Sequence, residues 1–530
     1  MKRAASVMIP ADPVGPGFFF SRLRFFSLSP FTIDIDVHTW NSGAVVMDDI
    51  SPLTALRLFV PKVPSVLKSA LYHQFWLSPT STKWDLRTEL TIHIVRSFMS
   101  GKPTPIAKQQ RLFKDPGIKG AVWISKVTLP PPPEPLLDLL ATAINSSKTA
   151  SERYDVPIPV PVEAEWTGHR ANARSDQPRP DLSEAQHYQK LMSEVTSALT
   201  VLYFHGGAYY LGDPSSHRGY LSRLARLTGG QCLSVRYRLA PQHPFPAALL
   251  DALTAYLSLL YPPPDSLHAP TPASNVVLAG DSAGGGLCFA LLQLLLQINR
   301  AAPTSPSLRF HNIDVTLPLP LPAGLAVISP WIDVTQSLPS ILNNAQYDYL
   351  PPPLSSSARA RFPADDVWPT KPPRGDLYCD TTILCHPLVS PVAAKEWDGA
   401  CPVWIGVGEE MLVDESKVVA ARLAKQGVPV QWDMWEAMPH CFALMLDRVG
   451  VSAANECFEQ WAGFCVQAIA DGEEVVTRGT WYETKTNRKI EMRVEDLAPL
   501  RDDEVEEKMR AAKEARMTGL EGEAKMMPRL

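Results

Sequence analysis

The 530-residue chain is 45 % hydrophobic and 20 % charged, an ordinary globular composition with room for one large α/β domain of roughly 300 residues plus extensions. Its net charge of −5 gives no electrostatic case for nucleic acid. No run reaches the ~20 apolar residues needed to cross a bilayer, and no signal-peptide core is evident, so a cytoplasmic or endoplasmic-reticulum-associated location is expected.

In chain order, residues 1–50 show no clear periodicity. Phe18-Phe19-Phe20 and Phe25-Phe26 flank basic residues there, which reads as a leader or as a contact with a membrane surface. From 53 to 99 the pattern is helical, with Leu56, Val60, Val63, Leu67 and Leu71 on one face. This segment either covers a pocket entrance or rests on a membrane, and residues 1–110 are expected to form a partly helical N-terminal extension. Strand-like runs follow at 119–124 and 162–166, with an apolar stretch at 136–144 between them.

The alternation then becomes regular. Strands are predicted at 201–204, 232–237, 276–279, 325–328, 403–407 and 430–435, and helices at 220–227, 247–260, 285–298, 416–425 and 454–470. Val, Ile and Leu-rich strands separated by amphipathic helices imply a parallel sheet covered on both faces. Residues 111–471 are expected to hold this domain, interrupted at 335–398 by a proline-rich insertion that reads as a cap. From 472 to 530 the chain turns polar, and a charged, solvated tail is predicted. The eight cysteines include no C-x-x-C pair and sit mostly in apolar runs, as core thiols do; Cys379 and Cys385 are the pair to check for a disulfide.

Three separated pieces carry chemistry. Gly280-Asp281-Ser282-Ala283-Gly284 lies between a strand and a helix, a G-x-S-x-G that sets a serine hydroxyl on a sharp turn. A glycine-rich helix start binding phosphate is the bland alternative, weakened because no G-x-x-x-x-G-K-[ST] accompanies it. His440 follows the last predicted strand, where an imidazole can reach back over the sheet to take the serine proton. The acid must sit just beyond the 403–407 strand: Glu410 fits, Asp414 is the alternative at a helix start, and Glu409 is the weakest candidate. His205-Gly206-Gly207-Ala208 follows the 201–204 strand, and the N–H groups of Gly207 and Ala208, with that of Ala283, are the expected oxyanion donors. A plain strand-ending turn is the other reading of that loop.

These residues resemble the hormone-sensitive-lipase-like branch of the α/β-hydrolases, which includes arylacetamide deacetylases and microbial and plant carboxylesterases. The resemblance covers 202–470 and rests on HGGAYYLGD at 205–213, YRLAPQHPFPAAL at 237–249, GDSAGGG at 280–286, SPWID at 329–333, EEMLVDE at 409–415 and MPHCF at 438–442. The ends resemble fungal relatives, less specifically. Family members usually carry glycine where this chain has Ala208, and an aspartate where it has Glu410. The spacing from Glu410 to His440 looks like the family's.

The resemblance implies an α/β-hydrolase fold with a mostly parallel eight-stranded sheet and a cap from the N-terminal segment and the insertion. It implies a serine hydrolase of short to medium acyl carboxylic esters with a Ser282, Glu410, His440 triad, no metal and no organic cofactor. Tyr347, Tyr349 and Trp368 of the insertion are expected to shape an apolar pocket for a small-molecule ester. Arylacetamide or steryl acetate deacetylation uses the same machinery and stays open, as does a non-catalytic small-molecule receptor on the same fold. Oligomeric state is not set by the sequence.

Overall fold

A computed structural model describes residues 60–526 with breaks at 100–102, 114, 302–306, 352–361, 471–474 and 487, together with the backbone at 23–24 and 34–35. The phenylalanine runs at 18–20 and 25–26, and the helical pattern before residue 60, lie outside the described residues.

Among the described residues, ten strands form one sheet: β1 (Val122–Leu129), β2 (Val162–His169), β3 (Thr200–Phe204), β4 (Gln231–Arg236), β5 (Val276–Asp281), β6 (Gly324–Ile328), β7 (Val403–Gly408), β8 (Val430–Trp435), β9 (Arg478–Tyr482) and β10 (Lys489–Met492). Their spatial order is β10-β9-β8-β7-β6-β5-β3-β4-β2-β1. The pairings from β4 through β9 are parallel, while β1, β2 and β10 pair antiparallel at the two edges.

Alternation along the strands builds two cores. Leu202, Phe204, Leu278, Val327 and Ile405 face one side, with the helices Ala247–Leu260 and Ala283–Ala301. Val201, Tyr203, Val277, Ile328 and Trp404 face the other, with Arg218–Thr228 and Ser452–Ile469. Every residue of Ala247–Leu260 is buried, including Asp251, which is paired with Arg238 at 2.7 Å.

The sheet has two strands more than expected, and both come from the stretch read as a solvated tail. RGTWY at 478–482 pairs with β8, and the Tyr482 ring stacks on Trp435 at 4.5 Å. Arg478 meets the buried Asp433 carboxylate at the same edge. The last helix, α3 (Asp502–Met526), is charged outside, but Val505 and Met509 are fully buried and Arg516 is 3 % exposed. An i, i+4 apolar pair amid many charges is too little to show as a periodic pattern, and contacts of Asp502, Glu506 and Lys513 help dock the helix. Arg516 donates to the Asp376 carboxylate at 3.0 Å and to the Thr335 carbonyl at 2.9 Å, so this helix holds the insertion.

The insertion is less of a cap than expected. Tyr378, Cys379, Ile383, Leu388, Val392 and Trp397 belong to the main core, and Trp368 packs with Ile106 and Leu377 in a small cluster. All eight cysteines are free, Cys379 and Cys385 among them. The N-terminal extension folds as a hairpin of α1 (Val63–Gln74) and α2 (Leu86–Met99), followed by the short helix Ile106–Gln110. Among the described residues, no helix is long and apolar enough to cross a membrane.

Candidate active site

Ser282 sits between β5 and the helix Ala283–Ala301 with φ of +52°, a left-handed backbone rare for a residue with a side chain. The neighbours enforce it. A Cβ at Gly280 would lie 2.7 Å from the Phe204 carbonyl, and one at Gly284 would collide with the Phe204 and His205 carbonyls. The Ser282 N–H donates to Ile328 O at 3.1 Å, and its carbonyl accepts from Trp331 N at 2.8 Å. Strain of this kind persists only when its surroundings over-determine it.

The His440 Nε2 atom lies 2.9 Å from Ser282 Oγ. Its Nδ1 atom lies 3.3 Å from Glu410 Oε2, an ion-pair distance rather than a well-aligned hydrogen bond. Glu410 is fully buried in the turn after β7, and Ser329 Oγ donates to the same Oε2 at 2.8 Å. The Ser329 hydroxyl also accepts the Cys441 N–H at 3.0 Å, which ties the acid to the histidine loop. Asp414 stands elsewhere: it accepts from Ser340 N at 2.9 Å and pairs with Lys417. Glu409 accepts from Ala437 N at 2.9 Å. The structure therefore brings together Ser282, His440 and Glu410, with Glu409 and Asp414 bound to other partners.

The loop after β3 carries Gly207 at φ of +121° and Ala208 at +53°. Gly206 N donates to Asp281 Oδ1 at 2.9 Å, so the residue before Ser282 anchors this loop beside the serine turn. Ala283 is the first residue of its helix, where an N–H has no intrahelical acceptor.

The model of a family described as alpha/beta hydrolase fold matches residues 201–444. An acetyl-hydrolase of Streptomyces hygroscopicus is 36 % identical over 242 residues, 46 % of this chain and 67 % of that protein. Esterase LipU of Mycobacterium tuberculosis is 30 % identical over 247 residues, 46 % of this chain and 69 % of its own. The chain belongs to the α/β-hydrolase fold family. An esterase of Acinetobacter venetianus is 28 % identical over 294 residues, covering 54 % of this hydrolase-fold chain and 78 % of its own. A solved esterase from the bacterial hormone-sensitive lipase family covers 73 % of the chain and 99 % of itself at 22 % identity, with a TM-score of 0.48.

The electrostatics of this hydrolase-fold site follow from burial and pairing. Burial disfavours the His440 imidazolium, yet the adjoining Cys441 thiol and the Glu410 carboxylate beside Nδ1 together outweigh it and raise the pKa above the ordinary histidine value. Burial pushes the neighbouring Cys441 thiol up to about 12, and His440 beside it pulls it back only in part. Burial likewise raises the Glu410 carboxyl, and His440 pulls it back only in part. For Asp281 the balance reverses: burial alone would raise it, but His217 at 3.1 Å, Tyr203 and the Gly206 N–H hold it down at about 2.

Several supporting residues carry no motif. Asp348, buried in the insertion, accepts from Met411 N at 2.9 Å, beside Glu410, and from His440 N at 3.4 Å. Arg96 of α2 donates to the Asp348 carbonyl at 2.7 Å, and Trp84 Nε1 donates to Ala437 O at 2.6 Å. Lys83 pairs with Glu436 on the same loop. The Tyr349 ring lies 6.2 Å from the His440 imidazole, whereas Tyr347 meets Trp84 edge-on at 6.5 Å. Of the three aromatics expected around a pocket, Tyr349 is therefore beside the site, Tyr347 contacts the hairpin and Trp368 lies in its separate cluster. Among the described residues, no group of three His, Cys, Asp or Glu is placed to hold a metal ion.

Proposed function

We propose that this chain is a serine carboxylic-ester hydrolase of the hormone-sensitive-lipase-like branch. The observation that carries the reading is the 2.9 Å approach of His440 Nε2 to Ser282 Oγ on a positive-φ turn. Ser282 attacks the acyl carbonyl while His440 takes its proton. His440 then returns that proton to the leaving alcohol, and an acyl-enzyme remains. Glu410 fixes the imidazole tautomer and stabilises the imidazolium. The N–H groups of Gly207, Ala208 and Ala283 receive the developing oxyanion, and Ala208 supplies this donor despite its extra methyl. Water, activated by the same histidine, releases the acid.

The relatives support an ester substrate. Esters of short to medium acyl chains are favoured over long triglycerides, and the acetyl-hydrolase relative supports the short end of that range. The hydrolysis rates of p-nitrophenyl butyrate and p-nitrophenyl palmitate test this; a preference for palmitate refutes the acyl-length assignment. Ser282→Ala should abolish both hydrolysis and fluorophosphonate labelling. Wild type that refuses the probe would instead leave a binding protein on the same fold.

A further inference from the structure

The hairpin that steadies the His440 loop turns an unusual face outward. α1 buries none of its residues. Leu67, Leu71, Tyr72, Phe75, Trp76 and Leu77 are 45–69 % exposed. Leu67, Leu71 and Phe75 recur every four residues and make one stripe; Phe75, Trp76 and Leu77 form the turn that ends the helix. An apolar stripe on a helix ordinarily faces a core, and a contiguous exposed patch marks a place of interaction.

The charges around this face identify its occupant. Residues 60–77 contain Lys62, Lys68 and His73 and no acidic side chain. The Lys68 ammonium lies 5.1 Å from the Tyr72 ring centre, and Lys485 reaches over Trp76 at 5.0 Å. The next acids along the chain are engaged: Asp85 accepts the Thr88 N–H at 2.8 Å, and Glu89 is buried against Ser78, Thr80 and His73. Trp, Tyr and Phe rimmed by lysine, on a helix without acids, match the headgroup boundary of an anionic membrane. A second copy of this chain would set these lysines against their own duplicates, and the core of a protein interface is depleted of lysine.

We propose that α1 and its terminal turn dock this protein on an anionic lipid surface. The docking stands without the hydrolase reading; joined to it, the substrates are amphiphilic esters that partition into the bilayer. Trp84 and Lys83 tie the docked hairpin to the His440 loop through Ala437 and Glu436.

The test uses the full chain and sedimentation with vesicles of phosphatidylcholine alone and of phosphatidylcholine mixed with phosphatidylglycerol. Wild type should bind the mixed vesicles, more weakly as potassium chloride rises, and bind the neutral ones poorly. Phe75→Ser with Trp76→Ser, and separately Lys68→Glu, should each lower partitioning by about tenfold. Melting temperature and hydrolysis of dissolved p-nitrophenyl butyrate should not change. Wild type that stays in the supernatant, or variants that bind as well as wild type, overturns the proposal. So does a dimer that the Phe75/Trp76 variant dissolves. Vesicle binding by a chain inactive on every ester supports the docking and refutes the hydrolase reading alone.

Discussion

The serine turn and the two loops that face it are built by opposite means. Ser282 is held by its own strand, two glycines and its own helix, with the neighbouring β6 strand end closing the turn. Glu410 and His440 stand on loops that depend on distant chain: Ser329 bonds both, Asp348 reaches in from the insertion, and Arg96 and Trp84 arrive from the N-terminal hairpin. One half of the site is self-contained and the other is borrowed. The position of Ser282 is therefore set mostly by neighbouring chain, while the positions of Glu410 and His440 depend on distant segments.

Substitutions can separate the two halves. Glu410→Gln should cost roughly 10³–10⁴ in kcat by spoiling the imidazole tautomer, whereas Asp414→Asn should cost only a few-fold. The same Glu410 change gives a pH signature. With the carboxylate present, the His440 pKa is raised, so kcat/KM climbs with pH through a limb above the ordinary imidazole value. Removing that negative charge should move the limb to lower pH. Gly284→Ala strikes the self-contained half, since its methyl meets the Phe204 and His205 carbonyls. A loss of about 10²-fold in kcat/KM with a lower melting temperature is expected.

Asp348→Asn keeps the shape of the borrowed half but not its charge. About a tenfold fall in kcat, an unchanged KM and a small downward shift of the acidic limb are expected. An unmoved limb would reduce Asp348 to a packing residue. Arg96→Ala should have the smallest effect, roughly two- to five-fold in kcat, because the Asp348 carboxylate keeps its own hydrogen bonds. If Arg96→Ala exceeds Gly284→Ala, the division into self-contained and borrowed halves fails.

This division also explains what could be read from residues alone. A strand, a glycine-flanked serine and an apolar helix are consecutive, so the Ser282 turn was legible, as were the six strands from 200 to 435 to within a residue or two at most ends. Asp348 lies in a proline-rich stretch without periodicity, and its role exists only because β6, β7 and β8 bring three loops to one edge of the sheet. Its neighbours Arg96 and Trp84 are similarly invisible, being ordinary residues on a helical segment. Ser329 lies inside the SPWID run at 329–333, yet nothing in that run alone indicates that its hydroxyl bridges Glu410 to Cys441. The C-terminal strands escape the pattern because β9 is short and bounded by charged, turn-forming sequence, and α3 docks through one apolar pair, Arg516 and charged contacts at Asp502, Glu506 and Lys513.

The Arg516 contact has a consequence for biosynthesis. Asp376 precedes its cation by 140 residues, so at about 5–20 residues per second the insertion waits on the order of ten seconds on the ribosome for its partner. Throughout that interval a carboxylate destined for a dry position lacks its buried Arg516 partner, with Arg374 the nearby cation already made. A premature stop codon just before α3 would make the delay permanent, at a cost of about 3–5 kcal/mol for an orphaned charge. Quality control would then meet a polypeptide whose Ser282 turn is complete and whose flank never closes.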